Sequence, residues 1–114
     1  MCDTITGEEL NDILIENPNA VILVNYAADY IGESKMLDNV VNTLSRDYDD
    51  SVQFYRIDCD ENNEHVTSRG IYQIPTVVIY SGSELVHYGT GLQSRYQLAK
   101  ILDKLKDSMG EANY

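Results

Sequence analysis

From Ala20 to Tyr26 the chain reads Ala-Val-Ile-Leu-Val-Asn-Tyr, apolar at every position except Asn25. A strand with one wet face alternates polar and apolar residues; a continuous run must be covered on both faces. This segment therefore calls for a sheet sandwiched between helices, an α/β architecture. Val52 to Asp58, rich in Val, Phe, Tyr and Ile, reads as a second buried strand. The helices that would cover such a sheet are also visible. Gly7 to Asn17 places Leu10, Ile13 and Leu14 on one face, and Pro18 ends it because proline breaks the i−4 ladder. Ser34 to Tyr48 places Leu37, Val40, Val41 and Leu44 on one face against a polar opposite side. Asn62 to Arg69 reads as a short helix closed by Gly70. Thr76–Tyr80 and Glu84–Tyr88 form strands joined by Ser81-Gly82-Ser83, a hairpin signal. Ser94 to Lys106 is the closing helix, with Ser94 as N-cap and Leu98, Ile101, Leu102 and Leu105 turned inward. Residues 109–114 are expected to be a disordered tail.

At 114 residues the chain is read as one domain, residues 1–114, and 43% hydrophobic content is enough for a core. No apolar run approaches the roughly 20 residues a membrane span needs. The first residues, Met1-Cys2-Asp3-Thr4, lack the basic and apolar stretches of a secretory signal, so a cytoplasmic setting is expected. A net charge of −11, with only eight Lys and Arg, argues against nucleic acid. The acidity either keeps a small domain in solution or steers a basic partner toward it, and both readings stay open.

Cys2 and Cys59 are far apart and outside any Cys-x-x-Cys, which leaves neither a disulfide framework nor a zinc site. Cys59 is expected to be a small buried or edge hydrophobe, and Cys2 to lie near a mobile terminus. His65 and His87 share no ligand spacing and read as surface or strand residues. Asp58-Cys59-Asp60-Glu61-Asn62 begins like a calcium loop but fails where Asn63 replaces the sixth-position glycine and Arg69 the twelfth-position glutamate. No metal or cofactor is expected.

Two segments carry a resemblance to a known family. Val21 to Tyr30 followed by Lys35-Met36-Leu37, and Gly70-Ile71-Tyr72-Gln73-Ile74-Pro75-Thr76 with Gly91 beyond the last hairpin, resemble the corresponding parts of the thioredoxin family. The resemblance covers roughly residues 5 to 106. It implies a thioredoxin-like fold, a central mixed sheet flanked by helices in the order β-α-β-α-β-β-α. The first strand would be reduced to a stub around Asp3 to Thr6, and Pro75 would be cis.

Where the family carries Cys-Gly-Pro-Cys, this chain has Ile31-Gly32-Glu33-Ser34. Thiol–disulfide exchange needs a thiolate, favoured at a helix N-terminus. Ile31 has no nucleophilic atom, and Ser34, suited instead to capping the helix, cannot form a disulfide. Glu33 stands for the motif proline. Asn25 stands for the family's buried acid and cannot take up a proton; Tyr30 keeps an aromatic and Ala27 loses one. A Ser34 hydrolase would need an aligned His and acid, and neither His65 nor His87 aligns. In the family's topology Cys59 would lie at a strand end away from the motif.

What the resemblance leaves is a platform. In the family the residue before the cis-proline offers its backbone to an extended segment, a role that falls on Ile74. Tyr30, Ile31, Gly32, Glu33, Ser34, Ile74, Pro75 and Gly91 are the candidate partner-binding residues. The plainer alternative is that Pro75 only shapes a turn and Ile31 is a lone exposed apolar residue. The expected function is a redox-inactive adaptor or structural subunit, monomeric, whose partner is another protein presenting an extended segment or a basic surface. The rival is an oxidoreductase accessory protein using Cys59 or Cys2 with partner thiols. A third reading has a vestigial platform and a function on the acidic face.

Overall fold

The computed structural model describes residues 2–111, with side chains described through residue 107. The elements run β1 (Asp3–Ile5), α1 (Gly7–Glu16), β2 (Val21–Ala27), α2 (Gly32–Ser45), β3 (Val52–Asp58), α3 (Asn63–Ser68), β4 (Thr76–Ser81), β5 (Glu84–Thr90) and α4 (Arg95–Glu111). From β2 onward this is the expected β-α-β-α-β-β-α order, preceded by a three-residue β1 and by α1. The sheet order is β1-β3-β2-β4-β5. β1, β3 and β2 run parallel, whereas β4 is antiparallel to β2 and β5 antiparallel to β4. It is a thioredoxin-like α/β fold: a mixed five-stranded sheet flanked by four helices.

The period of two along β2 divides the core. Ile22, Val24 and Tyr26 join Leu10, Leu14 and Val66 of α1 and α3 on one face. Val21 and Leu23 join Leu37, Val41, Leu44, Leu98 and Leu102 of α2 and α4 on the other. All seven residues of β2 are buried, so the unbroken apolar run is explained by cover on both faces.

Local chemistry sets the ends of these elements. Thr6 caps α1 in a reciprocal box: its hydroxyl accepts the Glu9 N–H at 3.1 Å, and Glu9 accepts the Thr6 N–H at 3.0 Å. Ser94 and Gln97 repeat the device at α4. The β4–β5 hairpin turns on Gly82 and Ser83 alone, Ser81 belonging to β4. Gly82 has φ +64, and a Cβ there would run into the Pro18 carbonyl.

Four expectations need correction. Ser34 is not the N-cap of α2; that position is Ile31, and Ser34 lies inside the first turn. The closing helix extends to Glu111, so residues 109–111 are helical rather than tail, and 112–114 lie outside the described residues. His65 is neither a surface nor a strand residue: half-buried on α3, it stacks on buried Tyr26 with ring centroids 5.8 Å apart. Cys59 is not remote from the motif, because parallel pairing sets Ala27 beside Asp58 and the Cys59 N–H donates to the Ala27 carbonyl at 2.9 Å.

Candidate functional site

One end of the sheet gathers every loop that the motif positions occupy. β2 and β3 end there side by side, and β4 begins there with Thr76 opposite Tyr26. β5 ends there with Thr90 opposite Thr76. The segments 28–32, 58–62, 72–75 and 91–93 therefore share an edge, although they are scattered along the sequence.

The first of these segments is a tight lead into α2. The Ile31 N–H donates to the Ala28 carbonyl at 3.2 Å, and the Ile31 carbonyl accepts the Lys35 N–H at 3.1 Å. Ser34 is fully buried, and its Oγ accepts the Ala28 N–H at 3.0 Å. The Ser34 hydroxyl is thus a brace for the loop that leads into the helix. Ile31 is half-buried, Gly32 exposed, and Tyr30 71% exposed. The Tyr30 hydroxyl donates to Asp60 Oδ1 at 3.4 Å, and that carboxylate's charge raises the phenol's pKa.

Beneath α2 lies a polar group of unusual make-up. Asn25, 1% exposed, donates from Nδ2 to Asp38 Oδ1 at 2.6 Å. Arg56 reaches the same oxygen from Nε at 3.4 Å and bonds Asp29 from Nη2 at 2.8 Å. Asn25 Oδ1 has no hydrogen-bond partner among the described residues, an uncommon state for a buried acceptor.

The opposite wall is built on Ile74 and Pro75. Their peptide bond is cis, Pro75 is buried, and Ile74 is half-buried. The Pro75 carbonyl accepts the Gly91 N–H at 2.8 Å, and Thr76 Oγ1 donates to the Gln73 carbonyl at 2.6 Å. Neither the N–H nor the C=O of Ile74 takes part in a hydrogen bond among the described residues. The two walls are tied together by a contact that sequence reasoning missed: Glu33 Oε1 accepts the Leu92 N–H at 2.6 Å. Gly91, at φ +80, lies beside this tie; a Cβ there would sit 3.3 Å from Glu33 Oε1.

The structure therefore brings Tyr30, Ile31, Gly32, Glu33 and Ile74 to one surface, with Ser34, Pro75 and Gly91 buried as its supports. Tyr72, 87% exposed, and Leu92 border it and were not among the sequence candidates.

The two thiols stand apart from this chemistry. Cys59 is 2% exposed, and burial, then Asp58 and Asp60, push its pKa up to about 11. Cys2 is half-buried and is likewise pushed up to about 11 by burial, then by Asp38 and Asp3. Both are neutral thiols near pH 7, the unreactive form. Among the described residues no group of His, Cys, Asp and Glu could hold a metal ion, and no helix is long and apolar enough to cross a membrane. Asp58 Oδ1 accepts the Asp60 and Glu61 N–H groups, which makes the calcium-like segment a turn.

Comparison with known proteins agrees with this architecture. The family model described as Thioredoxin matches residues 2–104. Thioredoxin of Staphylococcus epidermidis is 33% identical over 86 residues, covering 75% of this chain and 83% of its own. Thioredoxin of Bacillus subtilis is 28% identical over 89 residues, covering 78% and 86%. Among solved structures, chloroplastic thioredoxin z superposes with a TM-score of 0.83 at 22% identity, over 93% of this chain and 95% of its own. Fasciola hepatica thioredoxin gives 0.80, also at 22% identity, over 91% and 98%. Those structural likenesses bear on the fold; with the match along residues 2–104, they mean that this chain belongs to the thioredoxin family.

Proposed function

We propose that this protein is a redox-inactive, thioredoxin-like binding domain, an adaptor or structural subunit that holds another protein through the Tyr30–Glu33 and Ile74 surface. The observation that carries the reading is the free peptide unit of Ile74. The N–H and C=O of half-buried Ile74, without partners among the described residues and at the sheet end that carries exposed Tyr30 and half-buried Ile31, suit an extended segment that adds main-chain hydrogen bonds. Ser34 supports the loss of chemistry, because its hydroxyl is sealed under the loop and committed to Ala28. Two unpaired cysteines fit a reducing compartment, and we place the protein in the cytoplasm on that ground.

One observation favours the rival. Cys59 lies at the same sheet end as the surface, and the relatives that match are named thioredoxins, which is compatible with thiol chemistry. Burial and neighbouring carboxylates weigh against it, since they suppress the thiolate.

A capture experiment separates the two. Immobilised wild type and a Cys2→Ser/Cys59→Ser variant should retain the same protein from the organism's extract, with or without dithiothreitol. Ile31→Asp should lose it: aspartate is a good N-cap, so α2 is preserved while the apolar contact is replaced by a charge. Retention that requires Cys59 and is released by dithiothreitol would favour the rival, and retention unchanged in Ile31→Asp would remove this surface from the account.

A further inference from the structure

Glu33 is held in place in a way a solvated surface glutamate is not. It projects from the first turn of α2 and accepts the Leu92 N–H at 2.6 Å, joining residues 59 apart in sequence. Charge-assisted bonds of this length are the strong ones, and they fix a side chain that would otherwise sample many rotamers. Gly91 is the neighbour that permits it, having no Cβ to press on Oε1. One carboxylate oxygen is engaged by Leu92. The other, Oε2, has no partner among the described residues.

Among the described residues Glu33 enters no ion pair. Arg56 is committed to Asp29 and Asp38, Arg69 to Asn11 and Tyr80, and Arg95 to Asp47. Lys100 and Lys106 lie over Tyr96 and Tyr48. Tyr30, next to Ile31 at the same sheet end, is 71% exposed. Asp60 bonds the Tyr30 hydroxyl and adds negative potential on that side. A fixed carboxylate with one oxygen free receives a guanidinium or ammonium well, by charge-assisted contact. The net charge of −11 would draw such a group in from a distance.

We infer that Glu33 selects, among extended segments that pair with Ile74, those carrying an arginine or lysine whose cationic group is received by the Glu33 carboxylate. The inference rests on the partner-binding reading above. The occupant is a basic, extended protein segment, and Glu33 is the residue that sets the preference.

The test uses three peptides with blocked ends, Ser-Gly-Val-Thr-Xaa-Thr-Val-Gly-Ser, with Xaa as Arg, Ala or Glu. Each is titrated into the ¹⁵N-labelled full chain while amide shifts are followed at low salt and at about 0.3 M salt, where exposed charges are screened. The Arg peptide should shift the Ile74, Gly91 and Leu92 amides and bind about tenfold more tightly than the Glu peptide, with the gap narrowing in salt. Glu33→Gln keeps an acceptor for the Leu92 N–H and should reduce the preference to about twofold or less. If all three peptides shift Ile74 with equal affinity, the Glu33 selectivity is wrong while the binding surface stands. If the Arg preference survives Glu33→Gln, the charge is read elsewhere and the inference is overturned. If no peptide shifts Ile74, the partner-binding reading falls and this inference with it.

Discussion

Asn25 stands where the resemblance to the family implies a buried acid. The buried acid expected there would sit against Asp38, whose Oδ1 is 2.6 Å from Asn25 Nδ2. An amide donates to that carboxylate; a second carboxylate could only repel it or share its proton. Asn25→Asp should therefore destabilise the fold near neutral pH by about 1–3 kcal/mol. The new pair would bind its first proton above the ordinary aspartate value of about 4, so the folded state holds a proton the unfolded chain has lost. The penalty is then absent at pH below about 4 and grows as pH rises through the pair's raised value. Urea midpoints of wild type and variant that converge as pH falls are the expected result. A midpoint gap independent of pH would mean that Asp38 and the new acid do not interact.

Among the elements, the strands were the most legible, because a continuous apolar run flanked by turn residues has few other uses. β3 was read with its observed ends, and β2 to within one residue at each. The start of α2 was misread for a definite reason. Serine is a favoured N-cap, but Ser34 serves the Ala28 N–H behind it, which leaves Ile31 to begin the helix without a side-chain cap. His65 was misread because its partner, Tyr26, is 39 residues away and on another element. Burial first, and Arg69 second, hold the His65 pKa below its ordinary value. The fold thus disfavours the imidazolium, and the unfolded chain takes up the proton first. Stability from this contact is complete above about pH 6.5 and is lost as pH falls through that value. Between pH 7.5 and about 5.5, the urea midpoint of wild type should fall more steeply than that of His65→Gln. Equal slopes would show that the α3–β2 contact carries no proton linkage.

At the scale of the whole molecule, the strand directions matter more than any local signal. Parallel β2 and β3 with antiparallel β4 and β5 bring four loops to one sheet end, and that is why Cys59 lies near the motif although the family's topology was read as setting it away. The site's outline was legible because the Ile-Pro-Thr and post-hairpin glycine positions resemble the family's. The Glu33–Leu92 tie was not, since no local rule pairs residues 59 apart in sequence. At this sheet end the N–H and C=O of Ile74 have no hydrogen-bond partner among the described residues, and Ile31 and a buried Ser34 stand where the family carries its two cysteines; the proposed function divides binding from thiol chemistry on that ground. The most direct measurement of that division is insulin reduction by dithiothreitol, followed by turbidity, with a dithiol thioredoxin as the positive control. Wild-type protein is predicted to leave the uncatalysed rate unchanged. A clear acceleration that disappears in Cys59→Ser would contradict the account and make this chain a thiol oxidoreductase.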